Sequence, residues 1–179
     1  MENEKYQILY DQKKIYRDKT VYRIMALRNF GDVKQYDIGG YISSEKNLSL
    51  YGDCWVYDDA IVTDSAVVMG NATVKGNAEI SGNAKIDDYA VIQDRAYVSD
   101  IASIFGEAVV DNRAGVFGAA IVHDNAYITG SSGVTGNARV YGDAIVGCIA
   151  HVKHNAQVRG NARISGNVDI EGNARIDDG

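Results

Sequence analysis

The chain contains no proline. Its changes of direction must therefore be made by residues that tolerate positive φ at low cost. The 19 glycines, with asparagine and aspartate, are of that kind. Cysteine is equally sparse. Cys54 and Cys148 stand far apart and form no C-x-x-C pair, which argues against a disulfide framework. No apolar run approaches the roughly 20 residues that span a bilayer, and Met1-Glu2-Asn3-Glu4-Lys5 is a charged start without an apolar signal core. The expectation is a soluble, cytoplasmic protein that makes no membrane contact. There is no basic stripe of the kind that binds DNA or RNA directly. Neither the G-x-x-x-x-G-K-[ST] phosphate loop nor the G-x-S-x-G nucleophile turn occurs.

What the chain does have is a globular composition, 46% hydrophobic and 23% charged, with a net charge of −6 unevenly spread. Residues 1–46 carry 9 basic and 7 acidic side chains, net +2; residues 47–136 carry 4 and 12, net −8; residues 137–179 carry 5 of each. The acidic middle favours solubility. It could also attract a basic partner, or imitate nucleic acid before a protein that binds it.

The strongest signal is an internal repeat. NATVKG (71–76), NAEISG (77–82) and NAKIDD (83–88) set a six-residue register that runs from Asn47 to Asp178 as 22 hexads. Position four is Leu50 and then valine or isoleucine throughout. Position two is alanine in 18 of the 22, the exceptions being Leu48, Cys54, Ser132 and Val168, and position six is Gly, Asp or Asn in all but Cys148 and His154. Side chains alternate along a strand, so positions two and four share the inward face while three and five point outward. Positions six and one make the corner. So short a strand is unstable alone, and the coils must stack about 4.8 Å apart. The pattern resembles the hexapeptide-repeat family, a resemblance that covers 132 residues. It implies an all-β fold: a left-handed, three-sided parallel β-helix of about seven coils over residues 47–179.

Residues 1–46 read as a small N-terminal β cap on the open end of the helix. Tyr6–Tyr10, Lys14–Arg17 and Val21–Leu27 look like strands, with turns at Asp11-Gln12-Lys13 and Asp18-Lys19-Thr20. At the other end the repeat runs to Asp177-Asp178-Gly179, an end covered by a partner subunit or protected by its charges. Tyr22-Arg23-Ile24, Arg28-Asn29-Phe30-Gly31-Asp32-Val33-Lys34, Gly39-Gly40-Tyr41-Ile42, Asn47-Leu48-Ser49 and Gly52-Asp53-Cys54-Trp55-Val56-Tyr57 resemble the start of the bacterial YdcK-like proteins, described as acyltransferases.

The resemblance implies a homotrimer, or a dimer, with acyl-CoA in a groove between rods and a histidine as general base. His123 is the one candidate. It sits at position five, one coil from Phe105 and Tyr141, with Tyr51 and Met69 further along and Val67 and Ile121 in the adjacent column. A histidine inside an outward apolar stripe reads first as part of a contact surface, either between subunits or with a protein partner. A second outward column, Trp55, Val91, Val109, Tyr127 and Ile145, is also apolar. Family enzymes build their sites with a loop that leaves the coils, and the unbroken register offers none. Cys148, His151 and His154 have zinc-like spacing, but nearly extended chain places Cys148 about 15–20 Å from His154, and one zinc needs ligands within about 2.3 Å. Corner Asp and Asn residues, which could suggest calcium, are explained by turn chemistry. No metal is expected, and no cofactor beyond acyl-CoA under the transferase reading. Three functions follow in order: a rigid binding scaffold, an acyl-CoA-dependent transferase, and an acidic decoy for a nucleic-acid-binding protein.

Overall fold

The computed structural model describes residues 4–178. Met1–Asn3 of the charged start and Gly179 lie outside the described residues. Three longer strands open the chain: β1 (Tyr6–Tyr16), β2 (Lys19–Ala26) and β3 (Ile38–Ile42), followed by a 3-10 turn at Glu45–Asn47. Then come 21 two-residue strands, from β4 (Trp55–Val56) to β24 (Arg175–Ile176), one for each hexad after the first. They stack into a parallel β-solenoid of about eight coils with three sheets as its sides. Face one takes β3, Ile61–Val62 and every third strand on to Asp169–Ile170; face two runs from Trp55–Val56 to Arg163–Ile164; face three runs from Val67–Val68 to Arg175–Ile176.

Equivalent residues in neighbouring coils are 18 apart, as in Val91↔Val109 and Ser103↔Ile121. Position four is fully buried from Val56 to Val158, and the alanines of position two are buried beside it. At Ile164, Ile170 and Ile176 the inward side chains are only partly covered. The corners have a further layer of order. Asp58, Asp64, Asp88, Asp94, Asp100 and Asp124 all hold φ between 53° and 60°. Each carboxylate accepts the backbone N–H of the residue one coil on: Gly76, Gly82, Gly106, Asn112, Gly118 and Gly142. Glycine suits the receiving position. A Cβ on Gly82 would lie 2.8 Å from the Asp100 backbone. The aspartates thus tie coil to coil, and six members of the acidic band have this structural task.

Three expectations are corrected at the N-terminal end. Ile42 pairs with Val62 and Leu48 bridges to Val68, both 20 residues apart rather than 18. The first coil is therefore set by Ile42 and Leu48, and two extra residues enter the corner before Val56. Leu50, expected in the core, is 37% exposed, and Tyr51 belongs to this longer corner rather than to a strand column. Asn47 fixes the arrangement. Its Nδ2 donates to Asp64 O and Ala66 O, and its Oδ1 accepts from the backbone of Ser43 and Ser44. Asp11-Gln12-Lys13 is likewise no turn. β1 is continuous, and the ladder steps from Leu9↔Arg23 to Lys13↔Tyr22 over a bulge.

The N-terminal segment both closes the end and folds along one side. At the end, Lys5 is buried; its Nζ lies 2.9 Å from Cys54 O, 3.1 Å from Ser49 O and 3.3 Å from Cys54 Sγ. Burial pushes the Lys5 ammonium below its ordinary range and the Cys54 thiol above its own. Trp55 is buried against Tyr6 and Phe30, with ring centroids at 6.2 Å and 5.3 Å. Along the side, the β1–β2 hairpin reaches down face one. Lys19 pairs with Asp64 at 2.5 Å, Arg17 with Glu79 at 3.2 Å and Arg23 with Asp59 at 2.8 Å.

Candidate functional site

Face three holds most of the outward side chains of interest. The strict 18-residue offset puts Phe105, His123 and Tyr141 in consecutive coils, and their rings stack. Centroids are 5.0 Å apart in both steps, with interplanar angles of 2° and 6°. His123 Nδ1 lies 3.0 Å from Asp124 Oδ1. That hydrogen bond, then the one from the Gly142 N–H, holds the Asp124 carboxyl below its ordinary range. Tyr141 OH lies 3.4 Å from Gln157 Oε1 in the next coil. Phe105 is exposed, and Val67, Met69, Ile121, His123 and Tyr141 are half-buried.

Face two meets face three at the corner Asp124–Asn125. Just past it runs the second column: Val91, Val109, Tyr127 and Ile145, paired rung to rung and half-buried. Tyr127 OH bonds Asp111, which raises the phenol above its usual range. The two columns therefore flank one edge of the prism. Trp55 does not join them. It lies at the right position, but the N-terminal segment buries it.

The remaining residues are dispersed. Cys148 and His154 occupy successive corners with φ of 59°, where His154 Nδ1 takes the place of a corner carboxylate and faces the Gly172 N–H at 3.4 Å. His151 lies on face one over Gly133. No group of three or more His, Cys, Asp or Glu side chains converges among the described residues. Nor is any helix among them long and apolar enough to cross a membrane.

No family model matches the sequence, and no curated protein does. The geometry alone must therefore carry the functional reading.

One cluster escaped sequence reasoning. On face one, Tyr16 OH bonds Glu79, Arg17 lies over Tyr97, and Lys14 and Arg23 lie on Tyr41, with Lys14 Nζ 3.7 Å from the ring centroid. The signal for it was the opposition between a net +2 segment and a net −8 segment. A depression of about 320 Å³ lies between Asp32, Tyr57, Asp58, Thr73, Lys75 and Val91 on face two. Tyr57 OH there donates to Asp32 at 2.6 Å.

Proposed function

We propose that this protein is a rigid β-solenoid scaffold that acts through protein–protein contacts on face three and the adjoining column of face two. Its relation to the hexapeptide-repeat and YdcK-like proteins, and their left-handed coil, belong to the same proposal. They are supported by a six-residue period wound on three sides. The observation that carries the scaffold reading is the Phe105–His123–Tyr141 stack. It is aromatic and outward, and its rings support one another from coil to coil, which lowers the conformational entropy that a partner's contact would cost. The double variant Phe105→Asp/Tyr141→Asp places two carboxylates in that surface. Sedimentation velocity and partner capture should show loss of assembly or binding, while far-UV circular dichroism and the melting midpoint stay near wild type. Unchanged assembly and capture would refute the reading.

A second reading, an acyl-CoA-dependent transferase, is favoured by the Asp124–His123 hydrogen bond, because a carboxylate beside an imidazole orients a general base. A thermal-shift titration with acetyl-CoA and free CoA tests it. A ligand specific to the folded state adds about 2.7 kcal/mol at a hundred times its dissociation constant. A saturable shift, with turnover abolished by His123→Ala, would establish this reading. No shift at millimolar CoA would remove it.

A further inference from the structure

We propose that face three is the contact surface for a second copy of this chain, the two rods lying parallel about a two-fold axis that runs along them. This rests on the scaffold reading and names its partner. Each rung of the face presents two outward side chains, position three and position five, about 6.6 Å apart. A two-fold axis along the rod sets position three of each rung opposite position five of the same rung in the partner. Lys85 then faces the partner's Asp87, and Arg175 faces the partner's Asp177. Arg139 meets the partner's Tyr141, a neutral side chain. Val67 meets the partner's Met69. The other three rungs pair Ser103 with Phe105, Ile121 with His123 and Gln157 with Arg159, so no rung opposes like charges.

Arg159 on this face already pairs with Asp177 of its own chain at 2.7 Å, whereas the other three cations await partners. Lys85, Arg139 and Arg175 are exposed and make no ion pair among the described residues. The other two faces lack the pattern. The hairpin covers the upper part of face one, and its rung with Asp169 and Glu171 would set carboxylate against carboxylate. Face two has no rung with opposite charges, and Trp55 on it is buried. Complementarity of one face with itself is the requirement of an isologous, two-fold contact. A three-fold ring would set face three against a different face and leave this self-complementarity unused.

The test is a charge swap in the full chain, read by sedimentation velocity across concentration, with circular dichroism to verify folding. Wild type should be a dimer. Lys85→Asp and Asp87→Lys each oppose like charges twice across the axis, and each should weaken the dimer roughly tenfold or more. The double swap Lys85→Asp/Asp87→Lys should restore it to within about threefold. An antiparallel pair would set position 87 against the partner's Arg159 and would not be rescued. Because Asp87 also accepts the Asp88 N–H, Lys85→Glu at its exposed position serves if Asp87→Lys disturbs the corner. A monomer, a trimer, a dimer indifferent to the single swaps, or an unrescued double swap would overturn the proposal. If the chain is monomeric yet loses a heterologous partner in Phe105→Asp/Tyr141→Asp, the scaffold reading survives and the self-pairing falls.

Discussion

Replacing Trp55 with alanine should cost about 3–5 kcal/mol of unfolding free energy, the range for deleting a large buried aromatic side chain. The indole is 1% exposed and joins two parts of the chain. Tyr6 and Phe30 meet it edge-on from the N-terminal segment, and Gly39 approaches so closely that a Cβ there would lie 2.7 Å from the ring. The first coil behind it rests on Lys5, whose ammonium holds the carbonyls of Ser49 and Cys54. Removing the ring opens a cavity at the junction and loosens the segment that closes the solenoid. Urea unfolding followed by circular dichroism reads the loss, with Trp55→Phe as the milder control. Because Trp55 is the sole tryptophan, wild-type fluorescence reports the same junction. Its emission should shift red when the N-terminal segment is released. A cost below about 1 kcal/mol for Trp55→Ala would mean that the segment is anchored elsewhere.

That junction is also where sequence reasoning failed, while it succeeded along the rod. From Asp53 onward one period fixes everything local: which side chain enters the core, which turns the corner, and which ring lies above which. The Phe105–His123–Tyr141 stack follows from an offset of 18 residues, and the structure places those rings as the offset requires. Periodicity says nothing of what covers an outward position. Trp55 fits an outward column by spacing, yet it is buried, by Tyr6 and Phe30 far away in sequence. Leu50 has the pattern of a core residue, aliphatic and six residues before Val56. The pairing of β3 (Ile38–Ile42) overrides that pattern by giving the inward places to Ile42 and Leu48, themselves six apart. The polar triplet Asp11-Gln12-Lys13 has the composition of a turn, and a bulge in a continuous strand uses the same residues. The face-three pairs Lys85/Asp87 and Arg175/Asp177 are visible in the sequence, but their meaning depends on knowing that both columns lie on one flat side.

The same isoleucine-to-alanine change should have very different costs at the middle and at the last coil. Ile104 is fully buried, with Ile86 and Val122 as its rung neighbours, and coils continue on both sides. The aliphatic column there cannot collapse into the gap without breaking the backbone ladders that fix the coil spacing. Ile104→Ala should therefore cost about 2–5 kcal/mol. Ile176 is only partly buried on the final strand. Truncating it removes less covered surface, and no further described coil must bridge the void, so the cost should stay below about 1 kcal/mol. A solenoid is stabilised by contacts between nearest coils, so a central defect also weakens the coupling between its two halves. Ile104→Ala should accordingly broaden the urea transition or split it in two, lowering the apparent m-value. Ile176→Ala should leave the slope unchanged. Equal costs at the two sites would contradict a core whose strength comes from coil-on-coil stacking. A large loss at Ile104 with an unchanged slope would mean instead that all the coils melt as one unit, and that the stiffness assigned to face three extends through the whole rod.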